Sequence, residues 1–187
     1  MVLIVAAVGR SGSGKTVTIE YLISQLSAEG YLVGAIKHVH HEGFTIDIEG
    51  KNTWRYAKAG AKVIAAISPN EVAIIKKTSK ETNNLDSVIE TIKKEGLDII
   101  FIEGYHGLIA KRADVSKILT AKDAESLQET LQGTVAPILA ISGLIAKNPT
   151  PNNQNYPVIK IPEDGKKLVD LIKQQLTNTK KGQSDQT

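Results

Sequence analysis

The stretch Val2–Thr16, VLIVAAVGRSGSGKT, decides the fold of this chain. Val2–Val8 is a continuous apolar run rich in β-branched residues, the pattern of a strand buried on both faces of a parallel sheet. Gly9-Arg10-Ser11-Gly12-Ser13-Gly14-Lys15-Thr16 follows it and matches G-x-x-x-x-G-K-[ST]. From Thr16 to Glu29, Ile19, Leu22, Ile23 and Leu26 recur at helical spacing, and Gly30 is a stop. Strand, glycine loop and helix are the context in which this motif binds phosphate. Glycines let successive N–H groups turn inward toward an anion, and the new helix points its positive end at the same place. Lys15 then supplies a cation for the β- and γ-phosphates, and the Thr16 hydroxyl supplies a ligand for Mg²⁺. Gly9 through Val17 is therefore expected to hold a nucleoside triphosphate.

Outward from this unit, short apolar runs alternate with amphipathic ones. Strands are expected at 31–36, 63–68, 71–77, 97–102, 116–121, 135–141 and 157–161. Helices are expected at 53–59, 85–95, 124–131 and 165–176. The alternation predicts a mostly parallel sheet covered on both faces, a three-layer α/β sandwich. The pair 63–68 and 71–77, joined around Pro69-Asn70, breaks the alternation and reads as an inserted β-hairpin spanning about residues 62–78. Lys147–Tyr156 is a turn-rich loop, and residues 177–187 carry no apolar side chain, which predicts a disordered tail. A single domain over 1–176 is the expectation.

Composition narrows the function. The chain has 187 residues, 41% hydrophobic and 23% charged, with a net charge of +3. That charge is too small to argue for nucleic acid, and only Arg10, Arg55 and Arg112 are arginines. The absence of cysteine excludes disulfides, thiolate catalysis and cysteine-ligated metal centres. No apolar run approaches the roughly 20 residues of a membrane span, so a soluble, cytoplasmic protein is expected.

A nucleotide-bound magnesium needs a carboxylate at the end of a neighbouring strand. Glu103 ends the run Leu97–Ile102, and Asp47 is the competing acid. All four histidines, His38, His40, His41 and His106, follow strand ends on the edge where open α/β sheets bind ligands. They suit contacts to phosphate or a polar heterocycle. A zinc site or an ordinary surface loop are the other readings.

Taken together, GRSGSGKT, Lys37–His41 (KHVHH), Asp47 with Gly50–Ala61 (GKNTWRYAKAGA), and Glu103–Gly107 (EGYHG) resemble the MobB family of molybdopterin-guanine dinucleotide biosynthesis adaptor proteins. The resemblance runs from residue 2 to about 142. It implies the P-loop NTPase fold, GTP and Mg²⁺ as ligands, and slow hydrolysis by what is at most a weak GTPase. It also implies work beside a MobA-type guanylyltransferase on the molybdopterin cofactor, and a homodimer formed through the inserted hairpin. Carried over, Gly9, Arg10, Ser11, Gly12, Ser13, Gly14, Lys15, Thr16 and Val17 hold the nucleotide, together with His38, His40, His41, Asp47 and Lys51. Lys15, Glu103 and Arg55 serve hydrolysis, and Thr16, Glu103 and Asp47 the metal. The chain departs from the family at Asn52, where an acid is common, and at Tyr105-His106. It lacks the guanine-reading N-K-x-D motif, since Thr120-Ala121-Lys122-Asp123 has the wrong spacing, so Ser142-Gly143 is the expected base-contacting loop. A small-molecule kinase and a metal-delivering NTPase are the alternatives.

Overall fold

The structure, a computed structural model, describes residues 2–78, 84–148 and 155–184, with side chains as far as Thr179. Residues 149–154 of the expected turn-rich loop and 185–187 of the expected tail lie outside the described residues. The elements are β1 (Leu3–Val8), α1 (Lys15–Ala28), β2 (Val33–Lys37), α2 (Asn52–Lys58), β3 (Val63–Ile67), β4 (Val72–Lys76) and α3 (Leu85–Ile92). They continue with β5 (Ile99–Glu103), α4 (His106–Ile109), β6 (Ser116–Thr120), α5 (Ala124–Gln132), β7 (Ile138–Ser142) and α6 (Gly165–Ser184).

Five strands form one sheet in the order β2-β5-β1-β6-β7, and every pair is parallel. β1 and β5 are buried along their whole length, the reason both read as unbroken apolar runs. The strands alternate as a pleated sheet must. Leu3, Val5 and Ala7 of β1 join Ile99, Phe101 and Ile118 in a core with Ile19, Leu22 and Leu26 of α1 and Leu168, Val169 and Ile172 of α6. Ile4, Ala6, Ile100 and Ile102 fill the alternate positions and are equally buried. On that face α4 packs against β1 and α5 against β6. Three layers result, as the alternation predicts.

The chain resolves into two compact units, one of Met1–His38 with Ile92–Thr187 and one of Val39–Thr91. The first holds the parallel sheet. The second holds α2 and the antiparallel pair β3–β4, and is larger than the expected hairpin. Within that pair Val63, Ala65, Ile67, Val72, Ile74 and Lys76 lie on one face by register, while Ile64 on the other face is buried.

Three elements differ from expectation. Residues 157–161 do not form a strand, only a bridge from Val158 to Ile141. Pro157 and Pro162 bracket the segment and cannot donate to a ladder. The short α4 was not expected in a glycine-flanked, turn-like sequence. Helix α6 runs to Ser184, past the expected end at Leu176. Among the described residues no helix is long and apolar enough to cross a membrane.

Candidate functional site

The loop between β1 and α1 is shaped by contacts that only glycine permits. A Cβ on Gly9 would sit 2.0 Å from the Thr120 carbonyl oxygen, and Gly14 has φ 101°. Ser13 is fully buried and its hydroxyl lies 2.7 Å from that of Thr120, which ties the loop to the end of β6. Gly14 caps α1 without any side-chain acceptor, so the first amides of the helix remain available to an anion.

Around this loop the parallel register brings charged groups to one level. Lys37 pairs with Glu103, and Glu103 with Ala7, at the carboxyl ends of three adjacent strands. The Lys37 ammonium therefore forms an ion pair with the Glu103 carboxylate. The Thr16 hydroxyl donates to the same carboxylate, 3.0 Å from Oε1 and 3.1 Å from Oε2. Lys15 donates to the carbonyls of Gly9 (2.9 Å) and Arg10 (2.7 Å), so its ammonium stays within the loop. Burial pushes the Lys15 pKa below its ordinary value. The Glu103 charge opposes that, and Lys37 and Lys122 add to it. Ser11, Gly12, Gly14, Lys15, Thr16, Val17, Lys37, Glu103 and Leu144 line an open cleft of about 450 Å³.

The expected site residues separate into two groups. Ser11, Gly12, Gly14, Lys15, Thr16, Val17 and Glu103 meet in this cleft, whereas Ser13 is buried beneath the loop and Gly9 and Arg10 face a second cleft. His38 stacks on Tyr105 with ring centroids 3.8 Å apart, and its amide donates to the Glu103 carbonyl. The close approach leaves no room for a side chain at Gly104, whose Cβ would lie 2.6 Å from that of His38. His38 thus braces the strand end that carries Glu103. His106 opens α4 and lines that second cleft with Gly9, Arg10, Glu129 and Thr130. Burial and the nearby Lys15 charge hold its pKa below 6.5. Arg10 is engaged by Glu129 at 2.6 Å.

His40, His41, Asp47, Lys51 and Arg55 belong to the second unit. There Asp47 accepts from the Thr53 hydroxyl (2.7 Å) and the Ile48 amide (3.0 Å), which organises the turn into α2. Among the described residues no group of three or more histidines and acids is arranged to hold a metal. Ser142, expected near the base, is fully buried and donates to the Ile159 carbonyl. Lys37 was missed, although it ends an apolar strand as Glu103 does. Leu144 was missed because no motif marks it.

The donor set suits magnesium, which takes hard oxygen ligands. Thr16 offers an alcohol and Glu103 a carboxylate at hydrogen-bond distance from each other.

Known proteins share the family pattern and the fold of this chain. The profile of the family described as MobB, molybdopterin guanine dinucleotide synthesis protein B, matches residues 4–141. The molybdopterin-guanine dinucleotide biosynthesis adapter protein of Haemophilus influenzae is 35% identical over 59% of this chain, and the match spans 58% of that protein's length. The adapter protein of Escherichia coli K12 is 32% identical over 66% of this chain and 67% of its own. The crystal structure of Bacillus subtilis MobB superposes with a TM-score of 0.71 at 28% identity, covering 92% of this chain and 97% of that one. A second crystal structure, of molybdopterin-guanine biosynthesis protein B, shares the fold with a TM-score of 0.69 at 24% identity.

Proposed function

The chain belongs to the MobB family, and from that premise we propose that it is a nucleotide-binding adaptor in molybdopterin-guanine dinucleotide biosynthesis. Its ligand in this reading is GTP with Mg²⁺, and its partner a MobA-type guanylyltransferase acting on the molybdopterin cofactor. The observation that carries the proposal is the Thr16–Glu103 hydrogen bond beside Lys15. It sets a hydroxyl and a carboxylate, both hard oxygen donors, in the same cleft as the Lys15 ammonium.

Mg²⁺, held through Thr16 and Glu103, would neutralise charge on the phosphates. Lys15 would exchange the loop carbonyls for phosphate oxygens. The free amides at the start of α1 would bind the same anion, and Lys37 would hold the Glu103 carboxylate in position through their ion pair. Fast phosphoryl transfer needs a positioned water and an added cation at the terminal phosphate. His106 is held toward its neutral form by burial and by the Lys15 charge, so it adds no cation there. This supports slow hydrolysis, with the nucleotide serving as a state marker rather than as fuel.

The exposed face of the hairpin, with Val63, Ile67, Val72 and Ile74 between 57% and 80% exposed, supports a homodimer formed there. The test is a competition titration of a fluorescent guanine nucleotide with GTP and ATP in Mg²⁺, on wild type and Lys15→Ala. GTP preference that the variant abolishes is expected. ATP preference, or no binding in wild type, overturns the reading.

A further inference from the structure

Two cations and one acid line the cleft beside the phosphate loop: Lys15, Lys37 and Glu103. Lys15 belongs to the loop motif and bonds the loop carbonyls of Gly9 and Arg10. Lys37 belongs to no phosphate-binding motif. It ends β2, the edge strand of the sheet, in register with Glu103, which is in register with Ala7. Neighbouring strands lie about 4.8 Å apart, so the Lys37 backbone stands roughly 10 Å from the strand that feeds the loop. Its long aliphatic stem carries the ammonium back over the end of β5 to the Glu103 carboxylate.

That ion pair leaves the ammonium only partly used. An ammonium has three N–H donors, and among the described residues Lys37 bonds to Glu103 Oε1. Its side chain is 57% exposed. Burial is the chief cause of the lowered Lys15 pKa, and the Lys37 charge adds to it against that of Glu103. Both ammonium groups therefore act on the same small space, whose excess of positive charge favours an anion. In phosphoryl-transfer sites the metal bridges the β- and γ-oxygens. A cation paired with the carboxylate proposed to hold that metal therefore belongs to the terminal end of the phosphate chain.

We propose that Lys37 distinguishes a nucleoside triphosphate from a diphosphate by donating to the terminal phosphoryl group while it stays paired with Glu103. The proposal rests on the nucleotide reading above and deepens it. The contact is made to the bound nucleotide before and during any transfer alike, so it sets affinity rather than rate. Its place in the chain gives it an outlet. His38 follows directly, stacks on Tyr105 and donates to the Glu103 carbonyl, and Val39 begins the second unit. The residue that reads the terminal phosphate thus adjoins the point at which the chain enters that unit.

The test measures GTP and GDP affinities by calorimetric titration, in Mg²⁺ and in EDTA, on wild type, Lys37→Met and Lys37→Arg. Wild type is expected to prefer GTP in both conditions. Lys37→Met is expected to lower that preference about tenfold in both, the worth of one charge-assisted hydrogen bond. Lys37→Arg keeps the charge and is expected to retain the preference, which guards against loss by misfolding. A preference lost in Mg²⁺ alone overturns the proposal, because Lys37 would then act only through Glu103 and the metal. A wild type without preference, Lys37→Met weakening both nucleotides alike or neither, or Lys37→Arg losing as much as Lys37→Met also overturns it and leaves the phosphate site standing. No binding of either nucleotide by wild type overturns both readings.

Discussion

The Thr16 hydroxyl donates to the Glu103 carboxylate at 3.0 Å although 87 residues separate them in sequence. β1 and β5 are direct neighbours, and the loop leaving β1 turns back so that the first residues of α1 face the end of β5. Glu103→Gln keeps the shape and removes the charge. Loss of a group that holds a metal's surroundings typically costs 10- to 100-fold in metal affinity, so GTP binding in Mg²⁺ should weaken by about that factor. Binding measured in EDTA should change little. Equal loss in both conditions would show that Glu103 supports the loop rather than the metal.

Gly143→Ala should destabilise the protein by about 1–3 kcal/mol, because the residue has positive φ and its methyl group would meet the Ser13 carbonyl. The same clash pushes on the phosphate loop, so nucleotide affinity should fall together with the unfolding midpoint. Urea melts and a GTP titration on the folded variant check both.

His106 should titrate below 6.5 in an NMR pH series. Burial is the larger cause and the Lys15 charge the smaller. Lys15→Ala removes only the second, so the midpoint should rise toward 6.5 without reaching it. A midpoint unmoved by Lys15→Ala would place the two groups too far apart to interact.

Lys117 is fully buried on β6, and its ammonium donates to the carbonyls of Arg112, Val135 (3.0 Å) and Ala136 (3.4 Å). Lys117→Met leaves these acceptors without their donor and should cost about 1–3 kcal/mol at neutral pH. Burial lowers the Lys117 pKa below its ordinary 10.5. The native state therefore resists protonation, and the unfolded chain binds more protons between the two values. Stability should rise with pH across that window in wild type, and the rise should be smaller in Lys117→Met. Denaturant melts between pH 7 and 10.5 measure the difference.

Ile67 and Ile74 lie on one exposed face of the β3–β4 pair, 80% and 62% exposed. The double variant Ile67→Asp, Ile74→Asp leaves the buried Ile64 in place, so each chain should stay folded. It should sediment as a monomer where wild type sediments as a dimer. Wild type sedimenting as a monomer would remove the homodimer from the proposed function.

Much of this was legible from local signals. The run Val2–Val8, the glycines of the loop and the period of α1 each follow from short-range chemistry, and each element lies within two residues of its expected place. Glu103 could be found because it ends an apolar strand. Elements held by few local signals were harder to read. The four-residue α4 has no helical period, and residues 157–161 are apolar enough for a strand yet flanked by prolines.

What this sequence determines by itself is which residues are buried and where the chain must turn, because hydrophobic period and glycine placement act over a few residues. It thereby defines a parallel α/β sheet with a phosphate loop at one edge. Only the tertiary structure decides which strand ends become neighbours. Strand order sets Lys37 against Glu103 and Glu103 against Thr16, and it sets the Gly143–Leu144 turn on the Ser13 carbonyl. Asp47, by contrast, is engaged by Thr53 within the second unit. Pairing between distant strands depends on the packing of the whole core, which no local pattern encodes.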